Sequence, residues 1–296
     1  MKISVCGKGG SGKSTIVSLL AERFAAAGKE VLIIDSDESN YGLHRHLSME
    51  NPKEFTGFFG GKEEVLKDMM LSNFTHQFFE GQWKLSDIPK GYYTEKNGIK
   101  LMVSGKIHQA NEGCACAMGT VMKQFVSRLT LEKNQIAILD MEAGIEHFGR
   151  GLDDEVDLIL MVCDPSYESA KLAVKIGELS GKLQKPMYYV LNKVDEESRK
   201  VLEQAIGDPE RILAVLPVEP ELTKAALLGQ KLILENSELN QAAKKKSAGR
   251  RYNKFRSLFW LFQVNLGEVK LTPSRYGNEK NRDRNMVSNV VKSKTE

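Results

Sequence analysis

Cysteine is scarce: four residues (Cys6, Cys114, Cys116 and Cys163) in a chain of 296. That number is too small for a disulfide framework. The N-terminal MKISVCGKGG carries no secretory pattern, so the cysteines read as thiols of a reducing, cytoplasmic compartment. Long apolar runs are also missing. The best late candidate, LFWLF at residues 258–262, is far short of the roughly 18 residues of a membrane span. No internal repeat of fixed period is present, and neither sign of charge dominates, with 42 Lys and Arg against 39 Asp and Glu. Secreted, membrane-spanning and fibrous classes are therefore excluded. What remains is an ordinary globular composition, 41% hydrophobic and 27% charged, long enough for one large domain or two small ones.

The near-neutral total conceals a division. Residues 243–296 hold 14 Lys and Arg against 4 Asp and Glu, a net of +10, which leaves residues 1–242 at −7. The composition thus predicts a body over 1–242 and a basic extension over 243–296. Within the body, apolar runs alternate with helical patterns. Strands are expected at 2–6, 30–35, 135–140, 156–164, 186–192 and 211–217. Helices are expected at 14–27, 167–183, 196–206 and 221–229, with another starting near Met118 and a short one over KEEVLKDMML. The strands are continuous apolar runs, as in a sheet covered on both faces. This pattern predicts an α/β fold with a mainly parallel sheet flanked by helices, a single domain followed by a basic extension. Residues 50–98 are harder to read. Their aromatic clusters, FTGFFGG and THQFFEGQW, fit an insertion that caps the core or, if exposed, a lid that faces a partner.

Gly7-Lys8-Gly9-Gly10-Ser11-Gly12-Lys13-Ser14 satisfies GxxxxGK[ST], with a strand before it and a helix after it. Glycines allow successive backbone N–H groups to turn inward around a polyphosphate, at the positive end of the helix. Lys13 is expected to reach the β- and γ-phosphates and the Ser14 hydroxyl to ligate Mg²⁺, with Thr15 completing the cradle; the fold class is that of a P-loop NTPase. Asp35 and Asp37 end the second strand, where open α/β sheets place their ligands. Asp140 ends the apolar strand QIAILD and is expected to hold Mg²⁺ through water.

The second lysine of the loop, Lys8, is informative. KGGSGKS resembles the deviant Walker A motif of the MinD, ParA and nitrogenase iron protein class. That resemblance implies that Lys8 reaches the partner's nucleotide across a two-fold homodimer, as an arginine finger does elsewhere. It also implies that Asp37 is the switch I aspartate that positions the attacking water. Asp140-Met141-Glu142-Ala143-Gly144 looks like switch II, in which the Gly144 amide senses the γ-phosphate. Asn192-Lys193-Val194-Asp195 resembles the base-reading NKxD of GTPases. The ATPase-like remainder of the pattern favours adenine, and Asp195 could equally start the following helix. Residues Pro217, Val218 and Glu219 fall where the class makes its second base contact.

Cys114 and Cys116 stand two apart, in a loop from which both thiolates can aim at one ion. Two sulfurs do not complete a zinc or iron–sulfur site, and a second subunit across a two-fold axis would supply the other pair. The P-loop, the CxC pair and MEAGIEHFGRG at 141–151 together resemble the CooC-type nickel-insertion ATPases of carbon monoxide dehydrogenase maturation. The likeness covers most of residues 1–235 and is loose over 50–98. It implies an ATP- and Mg²⁺-dependent homodimer that binds a metal ion, nickel or zinc, at paired CxC motifs. It also implies delivery of the ion to a client metalloenzyme such as carbon monoxide dehydrogenase. Cys6 and Cys163, in apolar strands, are expected in the core; Glu146 and His147 stay outside the expected ligand set. Two alternatives remain: a positioning ATPase of the septum-site or partitioning kind, and a reductase or carrier built around a bridging [4Fe–4S] cluster. No nucleic-acid partner is expected from a body of net −7, and membrane contact by the basic extension is left open.

Overall fold

The apolar runs of the sequence come together as one eight-stranded sheet. The computed structural model describes residues 1–109 and 116–232, all of them in the first compact unit of the chain, Met1–Phe259. The expected boundary after residue 242 and the basic extension lie outside the described residues. The chain runs β1 (Lys2–Gly7), α1 (Lys13–Ala26), β2 (Glu30–Asp35), α2 (Leu43–His46), α3 (Lys62–Leu71), β3 (Thr94–Lys96), β4 (Ile99–Val103) and α4 (Cys116–Arg128). It continues with β5 (Gln135–Asp140), α5 (Glu146–Gly149), β6 (Leu158–Cys163), α6 (Tyr167–Lys182), β7 (Met187–Leu191), α7 (Glu196–Ile206), β8 (Ile212–Val215) and α8 (Pro220–Leu227). The strand order is β3-β4-β2-β5-β1-β6-β7-β8, parallel except for β3 against β4. This is the expected α/β fold, with most element ends within one or two residues of those expected. β6 is buried along its whole length, which explains why its sequence shows no alternation.

Two strands and one helix start differ from expectation. Residues 94–103 form a hairpin, β3–β4, turning at Asn97 and Gly98, both at positive φ (53° and 77°). Asn-Gly is the residue pair that such a tight hairpin turn favours. α4 begins at Cys116, ahead of the expected start near Met118, because the buried stripe of Met118, Val121, Met122 and Phe125 extends the helix back into the CxC segment. Among the described residues no helix is long and apolar enough to cross a membrane.

Residues 50–98 cap the core. Phe55 is fully buried and centres an aromatic cluster, with ring centroids 5.2 Å from Phe125, 5.8 Å from Phe59 and 6.0 Å from Phe79. Phe125 belongs to α4, so the insertion is fastened to the helix that carries Cys116. Phe58 and Phe74 remain exposed at its rim. Phe55→Ala should cost about 3–5 kcal/mol of unfolding free energy in urea or thermal melts; a loss below 1 kcal/mol, roughly that of a surface site, would show that the cluster does not hold the insertion down.

Candidate nucleotide site

β1 lies inside the sheet between β5 and β6; the chain leaves it toward β2 on one side and later passes from β5 to β6 on the other. The loop that follows it therefore opens at the switch point of a parallel sheet, where such folds bind ligands. Gly12 takes a left-handed conformation (φ 99°), and a Cβ there would collide with the Asn192 amide. Glycine is needed for both reasons. α1 then starts with no side-chain cap and no acidic residue in its first turn. Its first N–H groups are thus left for an anionic ligand.

Around this cradle the sequence-predicted residues converge. Lys13 is buried, and its ammonium lies 3.9 Å from the Asp37 carboxylate. The Ser14 hydroxyl donates to Asp140 Oδ2 at 2.6 Å and accepts from the Asn40 side-chain amide at 2.6 Å. Asp140 Oδ1 is buried without a hydrogen-bond partner among the described residues. An orphaned carboxylate oxygen beside a hydroxyl and a second carboxylate is a set of hard oxygen donors, and it fits Mg²⁺. Asp37 accepts from the backbone N–H and the hydroxyl of Ser39, at 3.0 and 2.6 Å. The Gly144 amide donates to the Gly7 carbonyl at 3.3 Å, so the segment after β5 is in contact with the P-loop. Lys8 pairs with Asp164 of its own chain at 3.3 Å.

Residues 3–233 match the family model described as the CobQ/CobB/MinD/ParA nucleotide binding domain. The chain belongs to that family. It is 44% identical over 241 residues to an uncharacterized ATP-binding protein of Methanocaldococcus jannaschii, covering 81% of this chain and 96% of that one. It is 32% identical over 196 residues to the carbon monoxide dehydrogenase accessory protein CooC of Rhodospirillum rubrum, covering 66% and 74%. The cell division ATPase MinD of Pyrococcus furiosus has the same fold, with a TM-score of 0.56, 18% identity and coverage of 89% and 98%. A P-loop ATPase of the MinD/ParA family is therefore the setting in which the remaining residues act.

On the outer side of this ATPase's P-loop, the buried Asn192 donates to the Ser11 carbonyl at 2.8 Å, and Lys193 to the Gly10 carbonyl at 2.9 Å. Both residues brace the cradle. Asp195 accepts from the Ser198 N–H at 2.8 Å and forms a reciprocal capping box at the start of α7. These Ser198 hydrogen bonds hold its carboxyl below the usual range. Asp195 is thus the helix start that the sequence allowed, engaged by its own helix. Pro217 and Val218 are exposed, and Glu219, buried, precedes α8.

Cys116 is exposed at the first position of α4 and is disulfide-bonded, which differs from the free thiol expected of it; Cys114 lies outside the described residues. Cys6 and Cys163 are free and buried, and burial raises both thiols, Cys163 to about 12. Among the described residues no cluster of three or more His, Cys, Asp or Glu could hold a metal ion. His147 is structural. Its Nδ1 lies 2.6 Å from Asp153, which also accepts from Ser4 at 3.0 Å. Glu146 folds back onto the Ile145 N–H at 2.9 Å. Glu142 accepts from Arg150 at 2.6 Å, and burial together with the neighbouring Glu38 raises it to about 7.

Two residues of the site escaped the sequence reading. Asn40 bridges Ser14 and, at 3.4 Å, Asp140. Lys106, almost fully buried, donates to Asp35 Oδ2 at 2.8 Å. A lysine in VSGKIHQ carries no sequence signal of burial, because the burial depends on β4 pairing with β2. Asp35 and Asp140 are themselves Cα partners at the ends of β2 and β5. Burial raises Asp35 to about 7 and Asp140 to about 6. Raised carboxyls hold protons more tightly in the folded state. Their stabilisation is complete below the unfolded value near pH 4 and is lost as pH rises through about 6 to 7. The melting temperature of the nucleotide-free protein should therefore fall between pH 5 and pH 8. Mg²⁺ with nucleotide should flatten the profile, and a slope unchanged by Mg·ADP would contradict the placement of Mg²⁺ at Asp140.

Proposed function

We propose that the protein is an ATP-dependent metallochaperone. In this reading two subunits close around Mg·ATP, bind a metal ion through paired Cys114 and Cys116, and deliver it to a client metalloenzyme. Nickel is the favoured cargo and carbon monoxide dehydrogenase the favoured client, on the likeness to CooC. The observation that carries the reading is a shared crevice. Met118 and Met122 of α4, two and six residues beyond Cys116, line it together with Ser36 and Glu38 after β2 and with Glu142 and Arg150 after β5. The helix that begins at Cys116 thus borders the same crevice as both segments proposed to sense the nucleotide. In this reading the metal is held by the reduced form of the two cysteines.

The chain's residues divide the chemistry among themselves. The P-loop amides of Gly7, Gly9, Gly10, Ser11 and Gly12 and the first turn of α1, with Thr15, hold the phosphates, while Lys13 neutralises the γ-phosphate. Ser14 and Asp140 would hold Mg²⁺, which supplies charge neutralisation between the β- and γ-phosphates when bound. Asp37 orients the water that attacks the γ-phosphate, and Lys8 leaves Asp164 to reach the partner's nucleotide. The Gly144 amide trades the Gly7 carbonyl for a γ-phosphate oxygen, which pulls switch II and the wall of the α4 crevice with it. Asn192, Lys193 and the 217–219 segment flank the adenine.

Replacing Cys114 and Cys116 by Ser should reduce metal bound after anaerobic, reducing purification from about one ion per dimer to near zero, by elemental analysis, with ATP hydrolysis retained in Mg²⁺ buffer free of nickel and zinc. Undiminished metal in the double Ser variant would remove the CxC from the account. Visible absorption of an iron–sulfur cluster would favour the [4Fe–4S] alternative.

A further inference from the structure

Lys106 is 2% exposed, a setting in which an ammonium must be met by partners. Its Nζ has two described acceptors, Asp35 Oδ2 at 2.8 Å and the backbone carbonyl of Asp37 at 2.6 Å. The Asp35 contact alone compensates the charge. The second acceptor is a neutral peptide oxygen, and a bond to it fixes the backbone at Asp37. The next residue repeats the pattern. The Ile107 N–H donates to the Glu38 carbonyl at 3.3 Å, and the Tyr41 hydroxyl donates to the Ile107 carbonyl. Three successive bonds thus lay the segment after β4 along the segment after β2. The Asp37 N–H is itself held by Asp35 Oδ1 at 3.2 Å. With its N–H and its carbonyl both tied down, the Asp37 side chain has its origin fixed, and its carboxylate stands opposite Lys13.

We infer that Lys106 is a positioning residue for ATP hydrolysis: by holding the Asp37 carbonyl it aims the Asp37 carboxylate at the water that attacks the γ-phosphate. The inference rests on the role proposed for Asp37. It places no contact between Lys106 and the nucleotide, so its effect falls on turnover and not on ATP affinity. A misplacement of a positioned group by about 1 Å can cost on the order of 100-fold in rate.

Lys106→Met alone strands Asp35 in the interior and is liable to misfold. The informative variant is Lys106→Met with Asp35→Asn, which removes both charges. Wild type is the reference, since Asp35→Asn alone would leave the buried Lys106 ammonium without its carboxylate. Relative to that reference the double variant should bind ATP within about threefold, by titration calorimetry, while kcat falls about tenfold or more. Asp37→Ala should fall at least as far. A double variant that turns over like its reference, or one that loses ATP affinity with kcat unchanged, would overturn the role of Lys106 while leaving Asp37 intact. Full turnover in Asp37→Ala would overturn the reading of Asp37 and this inference together.

Discussion

Two carboxylates buried side by side set the terms for the rest of the site. β2 and β5 are neighbours in register, and each ends in an aspartate, Asp35 and Asp140, at paired positions of the sheet edge. Neither carboxylate reaches bulk water in any quantity. Burial of like charges at this spacing is costly unless cations and donors surround them. The chain answers from three directions: Lys13 from the P-loop, Lys106 from the exit of β4, and the Ser14–Asn40 pair from α1 and the segment after β2. Among the described residues one oxygen of Asp140 remains without a partner. The arrangement is balanced in part and leaves a defined place for one more hard cation.

That arrangement connects the nucleotide to distant parts of the molecule. Lys106 and Ile107 continue from β4 toward the CxC motif, and they are bonded to residues 37, 38 and 41. α4 leaves the motif and packs Phe125 into the cluster around Phe55, while its first turns border the crevice shared with Glu38 and Glu142. The described residues on both sides of the cysteines therefore adjoin the segments that follow β2 and β5. Under the proposed function, a change in the position of either segment has a short physical route to the exit of β4 through hydrogen bonds and to the first turns of α4 through side-chain packing.

Elements built from local pattern were legible in the sequence. The P-loop follows from the glycine spacing, Asp140 from the apolar strand it ends, and six of the eight strands from their uninterrupted apolar runs. Residues whose role depends on tertiary pairing were not legible. β4 is five residues long with a lysine at its second position, so its place beside β2 became evident only from the fold, and with it the burial of Lys106. Asp195 shows the opposite case. Its motif resembles a base reader, yet Asp-Glu-Glu-Ser is also a capping sequence, and the fold uses it as one. The aromatic stretch at 50–98 was ambiguous for a similar reason, since aromatic composition does not say which face Phe125 will offer it.

The central claim is that nucleotide state controls the metal held by the CxC motif, and metal affinity in the two nucleotide states tests it most directly. Nickel and zinc would be titrated into reduced, metal-free protein against a colorimetric chelator, once with ADP and once with ATP in a hydrolysis-blocked form. The account predicts dissociation constants that differ by about tenfold or more between the two states, a coupling of about 1.4 kcal/mol. Equal affinities for both metals in both states would contradict it.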